Sequence, residues 1–227
     1  LAFTDGKAFI TEREDMPVDV DYLLSDEYAK KRAALIGEEA LQPEVMELPR
    51  GGTVYLATAD EEGNMVSYIQ SNYMGFGSGV VIPGTGISLQ NRGADFSLDE
   101  TAPNALKPGK RTYHTIIPGF LTKENEAIGP FGVMGGYMQP QGHFQVISHM
   151  VDFGLNPQAA LDMPRWQWIG EKTITVEPEF PRYLVSELAA RGHKIDYTND
   201  FGSFGRGQII WRLPSGVYVA GTESRTD

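Results

Sequence analysis

The sequence predicts a layered α+β fold built on a largely antiparallel sheet. Two features carry that expectation. From residue 53 onward, short β-rich runs alternate with turn sequences; two helical patterns sit mid-chain, one comes late, and strands close the chain. The 26 glycines and 14 prolines supply turns for a sheet-rich body. With 227 residues, 41% of them hydrophobic, the chain can form one large domain, or a domain plus an attached fragment, around a substantial core.

Residues 1–52 read differently from the rest. Asp15–Val20 is an extended linker, since Pro17 disfavours helix before it. Ser25–Gly37 is a helix: Ser25 caps it, Asp26 and Glu27 occupy its first turn, and Gly37 ends it. Its apolar stripe is sparse (Tyr28, Leu35, Ile36), and residues 38–52, with Pro43 and Pro49, read as a loop or linker. Alone, this segment cannot bury a core.

Val54–Ala59 and Met65–Asn72 read as strands joined by a turn over Asp60–Asn64. In the second strand Val66, Tyr68 and Gln70 share one face and Ser67, Ile69 and Ser71 the other; alternation alone leaves open which is buried. Gly75–Gly79 is a turn whose spacing and flanks do not fit a phosphate loop. Pro83–Gly86 is a further turn, Ile87–Gln90 a short strand, and residues 97–112 a polar loop. Thr115–Leu121 and Ala127–Met134 are strands around a turn at Lys123–Glu126. Gly135-Gly136 leads into a helix over Gln141–Phe153, with Phe144, Ile147 and Val151 at helical spacing and Val146, Met150 and Phe153 widening the apolar face. Asn156 caps a second helix that starts at Pro157 and ends near Met163. A strand at Thr173–Val176, a helix at Pro181–Arg191 and strands at Lys194–Tyr197, Gln208–Leu213 and Val217–Gly221 complete the chain.

Acidic residues outnumber basic ones 30 to 19, a net charge of −11, so nucleic acid is not an expected partner. There is no cysteine, which excludes disulfides and thiolate metal sites and leaves the compartment open. No apolar run reaches the roughly 18 residues of a membrane-spanning helix, and no membrane partner is expected. The start at Leu1 reads as the middle of a longer precursor. His114, His143, His149 and His193 form no metal-binding spacing, there is no G-x-S-x-G elbow, and nothing calls for a metal or other cofactor.

Thr53 stands out among the hydroxyls. It follows Gly51-Gly52 and opens a strand. On its own residues the stretch reads first as a surface loop entering a strand. A threonine hydroxyl needs a base to act as nucleophile. Its own α-amino group, with an ordinary pKa near ~8, is a suitable base once the Gly52–Thr53 bond is cut. Glycine before the cut leaves the carbonyl unhindered and tolerates a strained peptide.

Several motifs extend this reading: Thr53 before a strand–Gly63-Asn64–strand hairpin, Gly86–Ser97, Gly135-Gly136, and Asp152–Asn156 followed by Pro164-Arg165. In this combination, and over nearly the whole chain, the sequence resembles the gamma-glutamyltransferase (gamma-glutamyl transpeptidase) family with its cephalosporin-acylase-like branch, which are N-terminal nucleophile hydrolases. The resemblance implies a four-layer αββα sandwich. It makes residues 1–52 the end of a large subunit and residues 53–227 the small, catalytic subunit of a self-cleaved heterodimer. Thr53 is then nucleophile and, through its amine, base; Ser71 supports its hydroxyl; Gly135 and Gly136 form the oxyanion hole. Asp95 takes the donor's α-amino group. Arg92 stands where the family usually has Gln or Glu, and His114 and Thr115 stand where it has two serines for the donor carboxylate. Asn72 lies one residue before the family's asparagine position, which falls on Tyr73, a residue that otherwise reads as packing. The implied activity is acyl transfer or hydrolysis of glutathione-type gamma-glutamyl amides. Arg92 and His114 also suit an acylase for glutaryl-type side chains, and an unprocessed, non-enzymatic homologue is a third reading.

Overall fold

The computed structural model describes residues 1–42 and 52–226. The reading of residues 43–51 as linker lies outside the described residues. The described strands form three sheets.

The first sheet is the expected hairpin, β1 (Gly52–Ala59) and β2 (Met65–Tyr73), in a register that puts Thr53 opposite Ser71. Asp60 closes its turn by accepting from the backbone N–H and the side-chain amide of Asn64, each at 2.9 Å. The open question of the faces is decided: Ser67, Ile69 and Ser71 turn inward, and Val66, Tyr68 and Gln70 face out. The second sheet has the order β3 (Gly119–Lys123), β4 (Glu126–Met134), β8 (Arg206–Arg212), β9 (Tyr218–Thr222), all antiparallel. The third pairs β5 (Trp166–Gly170) antiparallel with β6 (Thr173–Val176), and β6 parallel with β7 (Lys194–Tyr197). A parallel neighbour needs a crossover, here α6 (Arg182–Ala190).

β4 divides the layers. Gly132 faces β1: a Cβ there would lie 2.5 Å from the Tyr55 ring, so only glycine admits that contact. The next residue, Val133, faces the opposite way, onto Gly142 of α4 (Met138–Val151). α5 (Pro157–Asp162) lies beside α4, its Leu161 against Gly207 of β8 and its Pro157 against Gly221 of β9. Val133, Val146, Met150, Ala160, Leu161 and Ile209 form the core between sheet and helices. Each large side chain buried there contributes about 1.5–3 kcal/mol. Among the described residues the hairpin lies on one side of β4 and the helices α4 and α5 on the other. The outer face of the hairpin stays open through Val54, Leu56, Val66 and Tyr68; of the expected four-layer αββα sandwich, the α+β class is present.

The contact face of α4 is a correction. Phe144, Val151 and Phe153 were expected to be buried, yet they are 65%, 57% and 72% exposed. Buried instead are Gly142, Val146 and Met150, together with Gln141 and Gln145. The two glutamines act as an extra strand edge. Gln141 accepts from Trp168 N–H at 2.7 Å and donates to its carbonyl at 3.1 Å; Gln145 does the same with Trp166 at 3.1 and 2.9 Å. These bonds satisfy backbone groups of β5 that would otherwise be buried without partners, which is why this polar face of α4 turns inward.

Some elements differ from expectation. The strand expected at Thr115–Leu121 starts only at Gly119, and the one at Ile87–Gln90 reduces to a single bridge, Val81 with Ser88. β5 was not expected, although its tryptophans and Ile169 have strand propensity. The N-terminal part folds as α1 (Ala2–Phe9), α2 (Val20–Leu23) and α3 (Asp26–Ala33). Ser25 caps α3 as predicted, accepting from Tyr28 N–H at 3.1 Å. The segment docks on the body: Phe3 stacks on Trp168 with ring centres 5.7 Å apart, and Glu12 pairs with Arg111 at 2.6 Å.

Candidate active site

Thr53 stands where the β1–β2 pairing shifts register, between Gly52 and Thr53. Its Oγ donates to Ser71 Oγ at 2.9 Å. Ser71 Oγ also accepts from the backbone N–H of Tyr73 at 2.8 Å. Tyr73 is buried and has φ +74°, a strained conformation for a bulky residue. That backbone turns its N–H onto Ser71 and sends its ring toward Asp95, whose Oδ1 accepts from the Tyr73 hydroxyl at 2.7 Å. A continuous line therefore runs Thr53–Ser71–Tyr73–Asp95.

Asp95 closes the helical turn Arg92–Asp95. Its Oδ2 is buried without a hydrogen-bond partner. Burial raises the carboxyl above the ordinary carboxylate range, while the Tyr73 hydroxyl, Arg92 and Lys7 pull against that rise. Burial, then Asp95, pushes the Tyr73 hydroxyl well up. Arg92 is 1% exposed. Its guanidinium lies 4.5 Å from the centre of the Tyr73 ring, and one arm donates to Thr115 Oγ1 at 2.7 Å. Arg92 and Thr115 thus meet each other behind Tyr73. His114 lies on the exposed side, its Nδ1 accepting from Ile116 N–H at 3.1 Å. Desolvation and the Arg92 charge lower its pKa. Asn72 turns toward Gly77, and its carbonyl accepts from Asn91 N–H at 3.2 Å.

Gly135 and Gly136 follow β4 with φ +140° and +58°, values that glycine tolerates. Their carbonyls accept from Met138 and Gln139 N–H at 3.0 and 3.1 Å, so α4 begins directly after them. Tyr137, next in sequence, lines the same cleft as Tyr73. This puts the glycine pair at the Thr53 end of the hairpin, near the positive end of a helix. Gly205 backs the pair: a Cβ on Gly135 would lie 3.1 Å from its Cα.

Beside this line opens a cleft of about 630 Å³, with Lys7, Tyr73, Asp95, Asn104, Tyr113 and Tyr137 in its walls. The sequence reading named Asp95 among these and took Tyr73 for packing. It missed Lys7, Tyr113 and Tyr137. Adjacency to the glycine pair was the available signal for Tyr137; Lys7 and Tyr113 had none. Among the described residues, no group of three or more His, Asp or Glu side chains is placed to hold a metal.

A model of gamma-glutamyltranspeptidase matches residues 1–227. The chain belongs to the gamma-glutamyltranspeptidase family. Its relatives in that family include the glutathione hydrolase-like YwrD proenzyme of Bacillus subtilis (strain 168), 37% identical over all of this chain and 44% of that protein. The oxamate amidohydrolase proenzyme of Klebsiella pneumoniae is 34% identical over the same shares. Among solved structures, the cephalosporin acylase from Bacillus halodurans superposes with a TM-score of 0.93 at 66% identity, over 100% of this chain and 42% of that one. The chain therefore spans less than half the length of these gamma-glutamyltranspeptidase relatives. They differ in their named activities.

Proposed function

We propose that this chain carries the nucleophile and part of the donor cleft of a self-processed amide acyltransferase or hydrolase. The observation that carries the reading is the line Thr53–Ser71–Tyr73–Asp95, which ties a strand-opening hydroxyl to a buried carboxylate at a cleft. Residues 1–52 are the end of the large subunit and residues 53–227 the small one, with the rest of the large subunit as partner. The relatives' names as proenzymes support a precursor that is cut.

Cutting before Thr53 turns its amide nitrogen into an amine. The amine takes the proton from Thr53 Oγ as the oxygen attacks the donor amide, and returns it to the leaving amine. Ser71 holds the attacking hydroxyl. The N–H groups of Gly135 and Gly136 stabilise the tetrahedral oxyanion, an effect worth about 2.7–4 kcal/mol per donor in other acyl-transfer sites. Water or an amine then releases the acyl group. Asp95, with Oδ2 unpartnered and buried, is an acceptor for the ammonium of a gamma-glutamyl donor. Arg92 and Thr115 hold the Tyr73 wall from behind, and His114 and Asn72 flank it.

A second reading is an acylase for glutaryl-type amides. Two cations, Lys7 and Arg92, face the single carboxylate of Asp95, a balance that leaves room for an acyl carboxylate without an ammonium. Purified enzyme and its Thr53→Ala variant, assayed on gamma-glutamyl and glutaryl para-nitroanilides, test both. Thr53→Ala is expected to abolish turnover of either. Retained turnover would refute the nucleophile, and the preferred anilide identifies the acyl group.

A further inference from the structure

We infer that Arg165 is a positioning residue for the Gly135-Gly136 pair: from a buried ion-pair network it fixes the turn at Gly205, and Gly205 holds Gly135 in place. The inference rests on the acyl-transfer reading above and gives a role to Pro164-Arg165, a sequence motif that reading does not use.

Arg165 links α5 to β5 and is 1% exposed. A guanidinium is kept in such a place only where its N–H groups find acceptors and its charge a counterion. One arm, Nη1, donates to two consecutive carbonyls, Phe204 at 2.9 Å and Gly205 at 3.0 Å. The other, Nη2, donates to the Leu161 carbonyl at 3.2 Å and to Glu223 Oε2 at 2.8 Å. That same oxygen of the buried Glu223 accepts from Gly207 N–H at 2.8 Å. The backbone is therefore gripped on both sides of Arg206, by a cation through the carbonyls before it and by an anion through the N–H after it. Glu177 and Arg225 complete the network. Glu177 accepts from Arg165 N–H at 2.6 Å and pairs with Arg225, which also pairs with Glu223.

The gripped turn abuts the glycine pair. Met134 and Arg206 are the last partners in the β4–β8 ladder, and Gly135 and Gly205 are the first residues beyond it. Gly205 has φ +77°, and a Cβ on it would lie 2.6 Å from the Met134 carbonyl oxygen and 2.7 Å from Val133 Cγ1. From the other side, a Cβ on Gly135 would lie 3.1 Å from Gly205 Cα. Bare backbone meets bare backbone, so a shift of either glycine moves the other. An N–H that stabilises a developing charge has to be aimed before the reaction. Past the end of the ladder, the Gly205 turn supplies that fixed support for Gly135, and Arg165 keeps the turn where it is.

The test uses the complete processed protein and three variants. Arg165→Lys keeps a charge for Glu223 but loses the fork that reaches both carbonyls and the carboxylate together. Gly205→Ala disturbs the turn and leaves every charge of the network. Glu177→Gln weakens the network at Arg225 and leaves the Arg165 bonds to the turn. Turnover of the preferred anilide is measured per folded, cut chain, alongside Tm and hydrogen exchange at Met138 and Gln139, whose N–H groups bond the carbonyls of Gly135 and Gly136. Arg165→Lys and Gly205→Ala are each expected to lower kcat about tenfold or more with KM within about twofold, and to speed exchange at Met138 and Gln139. Glu177→Gln is expected to lower Tm while kcat stays within about twofold. If Arg165→Lys lowers Tm and leaves kcat per cut chain unchanged, Arg165 only stabilises the fold and the inference is overturned. The same holds if Glu177→Gln lowers kcat as much as Arg165→Lys does. Should Arg165→Lys not fold, an unchanged kcat in Gly205→Ala overturns it. If the wild type shows no Thr53-dependent turnover, the acyl-transfer reading falls, and exchange decides the inference alone: faster exchange at Met138 and Gln139 upholds the hold on the glycine pair, and unchanged exchange refutes it.

Discussion

Ser71→Ala separates the two jobs of one hydroxyl. Ser71 Oγ accepts from Thr53 Oγ at 2.9 Å and from Tyr73 N–H at 2.8 Å. Alanine removes both hydrogen bonds without adding bulk. The Tyr73 N–H is left unpaired beside a buried ring in a strained conformation. Leaving such a donor unsatisfied costs about 1–3 kcal/mol. At about 2–4 °C per kcal/mol for a domain of this size, Tm should fall by roughly 2–12 °C. The nucleophile loses the bond that orients it; one hydrogen bond of about 1.4–2.8 kcal/mol in the transition state corresponds to roughly 10–100-fold in kcat. Steady-state kinetics on the preferred anilide should show kcat falling by that factor with KM nearly constant, and Ser71→Thr should recover most of it. If kcat stays within about twofold while Tm drops, Ser71 only braces Tyr73 and the nucleophile is held by something else.

Other perturbations probe the neighbouring contacts. Tyr73→Phe removes the hydroxyl that holds Asp95 down, so the Asp95 carboxyl rises further above its already raised value. A carboxylate whose folded pKa lies above the unfolded one contributes stability at low pH that is lost as pH rises through the unfolded value toward the folded one. Urea titrations should therefore show Tyr73→Phe more destabilised near neutrality than in acid, and its acid limb of kcat/KM for a gamma-glutamyl substrate should move to higher pH. Gly135→Ala places a Cβ 3.1 Å from Gly205 Cα at φ +140°; it should lower kcat at least about tenfold in the same assay with smaller effect on KM. Glu223→Ala strips the buried Arg165 of its 2.8 Å partner, and thermal unfolding should show a loss of about 3–5 kcal/mol.

The hairpin was readable because its alternation and its turn residues agree, and its register then fixes Thr53 opposite Ser71. The helix after Gly135-Gly136 was readable from periodicity, but its face was not. Gln141 and Gln145 carry no apolar signal in the sequence, and it is the distant edge of β5 that gives them a reason to be buried. Tyr73 reads as a strand-end aromatic; nothing local announces a positive φ, which the contacts to Ser71 and Asp95 impose from outside. Lys7 enters the cleft through tertiary docking of α1, held by Phe3 on Trp168 and by Asp5 with Arg32 at 2.7 Å. Contacts between residues so far apart in the chain leave no periodic trace.

The central claim is that Thr53 becomes an N-terminal nucleophile by cleavage of its own preceding bond. Intact mass of the freshly purified complete protein tests it most directly. Two fragments are expected, the smaller beginning at Thr53, and Thr53→Ala should remain a single uncut, inactive chain. A wild-type protein that turns over the anilides as one uncut chain, or one cut elsewhere, would contradict the account.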